Sequence, residues 1–106
     1  GMAKQMIYTA RNIKADEALR IGLVNAVYPL AELYAAAEKL ASQIAANAPI
    51  AVRAAKKAIN EGLDLPMDEA VVVEEKAFGS CFETADQQEG MGAFLEKRKH
   101  EPFINK

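Results

Sequence analysis

The stretch Glu89–Lys99, EGMGAFLEKRK, is the part of the chain from which the fold is best predicted. Thr84 and Gln87, just before it, have the spacing of a capping box, in which Thr84 is the N-cap and Gln87 reaches back to it. One helical face then carries Met91, Phe94 and Leu95. The sequence therefore predicts a helix that begins after Thr84, runs through the quoted stretch and docks by one apolar face.

Two further features of this helix concern its end and its interior. Lys97, Arg98 and Lys99 are expected in the last turn, where cations meet the negative end of the helix dipole. Gly90 and Gly92 lie in the interior, where each costs about 1 kcal/mol relative to Ala. Interior glycines usually have a packing or functional reason. The sequence leaves open whether another helix or a ligand approaches the backbone there.

The rest of the chain also carries helical patterns, separated by short breaks. Leu23–Tyr28 has strand propensity but no second strand with which to pair. Gly22 suits the left-handed position just after a helix, and Gly62 is expected to end another. The sequence predicts an all-α fold, as a single small helical domain over residues 1–106 with about four main helices. The helical segments are expected at Ala3–Tyr8, Ala15–Ile21, Ala31–Ala46, Pro49–Glu61 and Pro66–Phe82.

Composition limits the classes of function. The 106 residues carry a net charge of −2, and a nucleic-acid partner is not expected because phosphate binding needs a basic surface. The apolar content of 51% is enough for a small core. Cys81 is the only cysteine, which favours a reducing cytoplasm. No signal pattern and no apolar run long enough to span a bilayer are present, so no membrane association is expected.

No catalytic or metal-binding constellation is found among the residues. Glu74 interrupts an apolar helix face, and we favour a buried ion pair with Arg53 or Lys56 over a general acid. Cys81 is typical of an inert core thiol. His100 is the only histidine, and one histidine without other ligands makes no metal site. The basic face around Lys56 is expected to be solvated, with anion binding as the alternative.

Two motifs give the chain a resemblance to the enoyl-CoA hydratase (crotonase) family, and within it to short-chain 3-hydroxybutyryl-CoA dehydratases. One is Glu89–Lys99. The other is Thr9–Asn25, TARNIKADEALRIGLVN, which is similar to the family's Thr-Gly-x-x-Ile-x-Ala-x-Glu-Ala-x-x-x-Gly-Leu-Val, with Ala10 in place of the usual glycine. Their order and spacing resemble the last part of a family member. The resemblance therefore implies a C-terminal region without the catalytic core.

The resemblance also implies a function for the parent protein. In this family two glutamates add or remove water across the double bond of an acyl-CoA thioester, and backbone N–H groups hold the developing oxyanion. The chain alone is then expected to be inactive, with an acyl-CoA thioester as the parent's substrate and no separate cofactor. The corresponding region of the family forms oligomer contacts and part of the CoA pocket, so a homo-oligomer is expected. The alternatives are an isomerase or acyl-CoA lyase on the same scaffold, and a non-enzymatic helical association module.

Phe94 and Lys97 are the candidate CoA-binding residues, because by motif they match positions that touch the adenine end of CoA in the family. Three residues apart on a helix, they would be neighbours on one face. An aromatic ring offers adenine a surface worth about 1–3 kcal/mol per stacked base, and a lysine offers a point charge to a phosphate. The alternative is that Phe94 is a core residue and Lys97 a surface residue that complements the helix dipole.

Overall fold

A computed structural model describes all residues, Gly1–Lys106, and 66% of them are helical with no strand. The predicted all-α fold is confirmed. The predicted count of about four main helices is wrong, because the amino-terminal segments form complete helices of 8 and 6 residues. The six helices are α1 (Met2–Thr9), α2 (Ala15–Arg20), α3 (Leu30–Ala45), α4 (Pro49–Gly62), α5 (Met67–Cys81) and α6 (Ala85–Leu95).

The chain groups into two compact units, Gly1–Glu38 and Lys39–Lys106, with the boundary inside α3. The expectation of one domain over residues 1–106 stays a prediction. None of the six helices is both long enough and apolar enough to cross a membrane.

In the first unit, both short helices end in a left-handed residue. Gly22 has φ +75°, as predicted, and the chain closes a Schellman motif there. In this motif the N–H of Leu23 donates to the carbonyl of Ala18 at 2.9 Å, and the N–H of Gly22 donates to that of Leu19 at 3.1 Å. Ala10 keeps the same left-handed backbone after α1, with φ 49°. The turn therefore survives the replacement of the family's glycine, although the alanine Cβ makes that conformation costly.

The segment between α1 and α2 has no regular secondary structure and is held to α2 by one close ion pair. The Nη1 and Nη2 groups of Arg11 donate to the carboxylate of Glu17, at 3.0 and 2.6 Å. These hydrogen bonds lower the pKa of Glu17 and raise that of Arg11. Residues 23–28 form a bend and irregular backbone, because no partner strand exists to satisfy the β-propensity of that run.

In the second unit, α4 and α5 pack along each other. A Cβ placed on Gly62 would lie 3.4 Å from the Cβ of Ala70, so the two helices approach closely at that point. Gly62 is the last residue of α4, so the helix ends there as predicted. It ends without a left-handed residue, because Leu63, which follows it, has right-handed backbone angles.

Few apolar side chains are buried. Ala18 and Ala93 are the only buried apolar residues, and no large side chain is fully enclosed. Leu30, Phe78 and Phe94 are among the many large apolar side chains that stay exposed. An apolar content that is enough for a small core therefore leaves most apolar side chains uncovered within this chain. Its helices present apolar faces to the outside.

We expect Ala10→Gly to raise the free energy of unfolding by roughly 0.5–1 kcal/mol, because glycine relieves the left-handed strain. Ala37→Gly, in the interior of α3, should lower it by about 1 kcal/mol. Urea unfolding followed by circular dichroism, at one protein concentration, measures both. A loss of stability in Ala10→Gly as large as that in the control would contradict the left-handed assignment.

Candidate functional site

The carboxyl end of α6 carries both candidate CoA-binding residues. The helix stops at Leu95, and Lys97 follows with φ 56°. The N–H of Lys97 donates to the carbonyl of Phe94 at 3.2 Å, and the N–H of Arg98 donates to that of Ala93 at 3.0 Å. This is again a Schellman motif, here with a lysine in the left-handed position that glycine usually takes.

This geometry corrects two expectations. Lys97, Arg98 and Lys99 do not lie in the last turn of α6, because the helix ends before them. The argument that Phe94 and Lys97 share one helical face therefore fails, although both residues are exposed at the same end of α6. Phe94 is 77% exposed and Leu95 74%, so the apolar face of α6 is not docked within the chain as predicted.

Beyond Lys97 the chain turns back along α6, and we call Arg98–Lys106 the tail. Glu89 holds the near end of the tail. The Nη1 and Nη2 groups of Arg98 donate to the carboxylate of Glu89, at 2.6 and 3.1 Å. The N–H of Glu101 donates to the same carboxylate at 2.8 Å. Arg98 and this N–H together lower the pKa of Glu89 to about 2. Arg98 also donates to Glu96 at 2.6 Å.

Asp86 holds the far end of the tail. Its side chain, only 2% exposed, accepts the N–H of Ile104 at 2.7 Å on one oxygen and that of Asn105 at 2.9 Å on the other. The N–H of Asp86 donates to the carbonyl of Lys106 at 3.2 Å. Arg53 of α4 donates to the side-chain oxygen of Asn105 at 2.6 Å. Asp86 was missed from the sequence, where an aspartate in a first helical turn indicates only dipole complementation.

The amino end of α6 has the predicted N-cap but only half of the predicted capping box, because the N–H of Thr84 donates to the carbonyl of Cys81 at 3.1 Å and not to the side chain of Gln87. The hydroxyl oxygen of Thr84 accepts the N–H of Gln87 at 3.1 Å, and the hydroxyl donates to the carbonyl of Cys81 at 2.7 Å. Thr84 is therefore the N-cap of α6, which begins at Ala85. This cap fixes where the helix starts and places Asp86 in its first turn.

The tail also explains what lies over the two interior glycines of α6. A Cβ on Gly90 would sit 3.6 Å from the ring of Phe103, and one on Gly92 would sit 3.9 Å from the guanidinium of Arg98. The alternatives left open were another helix or a ligand, and within this chain the neighbour is neither. Both distances are ordinary contacts, so the tail tolerates a methyl group at either position.

An apolar groove of about 600 Å³ lies between α4 and α5. Glu74 lines it as its only charged residue, but it is exposed and makes no ion pair. The predicted buried pair with Arg53 or Lys56 is therefore wrong, and Arg53 bonds Asn105 of the tail instead. The other lining residues are apolar or small: Ala51, Ala54, Ala55, Ala58, Ile59, Gly62, Leu63, Met67, Ala70, Val71, Ala77, Phe78 and Cys81.

Cys81 and His100 have local partners. The thiol of Cys81 is half-buried and lies 3.4 Å from the carbonyl of Ala77. The ring of His100 stacks on that of Phe103, with centroids 4.3 Å apart. No group of three or more potential metal ligands occurs in the structure. Nothing in this geometry offers a pair of shielded carboxylates for acid–base chemistry.

Comparison with known proteins assigns the chain to a family. The sequence model of the family described as enoyl-CoA hydratase/isomerase matches residues 1–103. The chain belongs to this family. The enoyl-CoA hydratase/isomerase assignment confirms the resemblance of the motifs Thr9–Asn25 and Glu89–Lys99.

Among its relatives is the short-chain-enoyl-CoA hydratase of Clostridium acetobutylicum, which is 56% identical over all 106 residues. The crotonyl-CoA hydratase of Syntrophomonas wolfei is 54% identical over the same length. The solved enoyl-CoA hydratase of Bacillus anthracis superposes on the whole chain with a TM-score of 0.93 and 40% identity. The chain spans only 41%, 40% and 41% of the lengths of these three proteins, respectively.

The Glu89–Arg98 pair gives a pH-dependent prediction. The pKa of Glu89 lies at about 2, below its ordinary value of 4.5. The pair therefore stabilises the fold fully above pH 4.5 and is lost as the pH falls through about 2. We expect the Glu89 carboxyl resonance to titrate near pH 2 in the unaltered chain, and Arg98→Met to move its midpoint up towards 4.5.

A matched control for this titration is Lys57→Met, which removes a cation from an exposed pair with Glu61 on α4. It should leave the midpoint of Glu89 unchanged. Titration of Glu89 near its ordinary pH in the unaltered chain would show that Arg98 does not hold it.

Proposed function

We propose that the chain is one part of a short-chain enoyl-CoA hydratase. The observation that carries this proposal is that relatives 56% and 54% identical over all 106 residues are named as hydratases of short-chain and crotonyl thioesters. In the reaction, water adds across the double bond of a 2-enoyl-CoA, with the hydroxyl going to C3 and a proton to C2. The CoA thioester is the substrate, and no separate cofactor is proposed.

The chain alone is proposed to be inactive. Asp86 is its only buried carboxylate, and both of its oxygens already accept backbone N–H groups. General acid–base catalysis needs a carboxyl group that can reach the reacting atoms, and Asp86 is only 2% exposed and lies under the returning end of the chain. The catalytic groups are therefore assigned to the rest of the parent.

We further propose that the chain is the C-terminal part of the parent, where it lends residues to oligomer contacts and the CoA pocket. The support is the order of its two motifs, Thr9–Asn25 before Glu89–Lys99, with the second resembling the end of family members. A matched share of about two fifths fits either end of a relative, so a direct exchange experiment decides the position.

Phe94 and Lys97 are proposed to contact the nucleotide part of CoA in the parent. Their support is motif position together with exposure: Phe94 is largely exposed, and Lys97 makes no ion pair. An exposed ring and an unpaired cation at one helix end suit an adenine and a phosphate.

A homo-oligomer is proposed from the exposed apolar faces, because large apolar patches rarely stay uncovered on monomers. The cytoplasm is the proposed compartment, based on the single cysteine. Two other functions remain as alternatives. An isomerase or acyl-CoA lyase would share this region, and the family description itself includes isomerases. A helical association module without catalysis would use the same apolar faces.

The function is tested with two chimaeras of the Clostridium acetobutylicum hydratase. In one, residues 1–106 replace the last two fifths of that enzyme; in the other, they replace the first two fifths. We expect the first chimaera to hydrate crotonyl-CoA, measured by loss of the enoyl thioester absorbance, and the second and the isolated chain to be inactive. A folded first chimaera without activity, or an active second one, would contradict the proposal.

In the active chimaera, Lys97→Ala should raise KM for crotonyl-CoA several-fold and leave kcat nearly intact, because uniform binding is lost. For a truncated crotonyl thioester that lacks the nucleotide, Lys97→Ala should change KM little. Lys99→Ala, which removes the same charge two residues further on, is the control and should leave both constants unchanged. Equal responses of crotonyl-CoA and the truncated thioester to Lys97→Ala would show that Lys97 does not touch the nucleotide.

A further inference from the structure

The most unusual side chain in the second unit is that of Asp86. It is a carboxylate with 2% exposure that has no cation beside it. Burying such a group is costly unless it is fully hydrogen-bonded. The N–H groups of Ile104 and Asn105 satisfy it, one on each oxygen. The burial of Asp86 therefore depends on the tail being in place, and the position of the tail depends on Asp86.

A second carboxylate of α6 acts on the same tail one turn further along. Glu89 accepts the N–H of Glu101 and the guanidinium of Arg98. The two carboxylates thus hold the far and near ends of one returning segment. The ring of Phe103 lies between these two anchor points, against Gly90.

The tail in turn fixes the residue that begins it. Lys97 has a left-handed backbone, which a lysine keeps only where its surroundings enforce it. The neighbour that enforces it is Arg98, whose N–H closes the helix end on Ala93 and whose side chain is held by Glu89. If the tail came away from α6, nothing beyond the helix end would hold Lys97 in this conformation.

We propose that Asp86 is a positioning residue: by clasping Ile104 and Asn105 to the first turn of α6, it docks the far end of the tail and so, together with Glu89 at the near end, fixes the turn that presents Lys97. The docking of the tail stands on the contacts of this chain alone. The consequence for CoA rests on the proposed function, in which Lys97 contacts the nucleotide.

The chain provides a closely matched control. Asp68 occupies the same position in the first turn of α5 as Asp86 does in α6, two residues after the N-cap. It complements its helix dipole in the same way, but it is exposed and binds no other segment. Asp86→Asn and Asp68→Asn therefore remove the same charge from the same position of a helix, and of the two residues only Asp86 contacts the tail.

The first experiment measures amide hydrogen exchange at Ile104 and Asn105 in the 106-residue chain. We expect both amides to be protected in the unaltered chain, to exchange at least about tenfold faster in Asp86→Asn, and to be unchanged in Asp68→Asn. Absence of protection in the unaltered chain, or equal protection in Asp86→Asn, would overturn the clasp. Loss of protection in Asp68→Asn as well would assign the effect to general helix fraying and would also overturn it.

The second experiment measures kinetics in the active chimaera. Asp86→Asn should raise KM for crotonyl-CoA several-fold with kcat within about twofold, and adding it to Lys97→Ala should raise KM little further. A chain that stops after Phe103 keeps Asp86 but lacks the amides it binds. It should give the same rise in KM, which separates the clasp from any folding defect of the aspartate variant.

The outcomes distinguish this inference from the function on which it rests. One outcome is that Asp86→Asn releases the tail, seen as fast exchange at Ile104 and Asn105, and yet leaves KM unchanged. If Lys97→Ala raises KM in the same chimaera, that result would overturn the positioning of Lys97 by Asp86. An unchanged KM in Lys97→Ala would instead remove the proposed CoA contact, and with it the kinetic consequence of the clasp. In that case the exchange measurement still decides whether Asp86 docks the tail.

Discussion

The structure depends on one constraint: the chain has many apolar side chains and encloses almost none of them. Only Ala18 and Ala93 are buried among the apolar residues. Burial of apolar surface is the main stabilising term of a folded domain, and a domain of about this length has little stability to spare. The apolar faces of α3, α5 and α6 therefore stay exposed on this chain, and we propose that other polypeptide covers them. This explains why an apolar content of 51% does not produce a core within these residues.

Local polar interactions define the helix ends in the absence of a core. Some were predictable because their signals are local. Thr84 caps α6 by accepting the N–H of Gln87, three residues later in the chain. Gly22 follows α2 in the left-handed conformation that glycine favours. The helical segments themselves followed from apolar periodicity, with errors of no more than one residue at every end except the carboxyl end of α6, which was predicted to run through Lys99 and stops at Leu95.

Other features were not predictable, for two physical reasons. Lys97 takes a conformation that its own side chain disfavours, so the sequence placed it inside the helix and not beyond it. The contacts of Asp86 with Ile104 and of Arg53 with Asn105 join residues 18 and 52 positions apart. No local pattern marks such pairs, and both were missed. The prediction for Glu74 was wrong for a different reason: its burial was inferred from an apolar helix face, and that face is itself exposed.

Under the proposed function, the catalytic groups lie elsewhere in the parent and the uncovered apolar faces of this chain are interfaces. Sedimentation velocity of the 106-residue chain over a wide concentration range, with circular dichroism on the same samples, tests this most directly. We predict self-association, with helix content that rises as the oligomer forms, because covering the apolar faces stabilises the helices. A fully helical monomer at every concentration would contradict it.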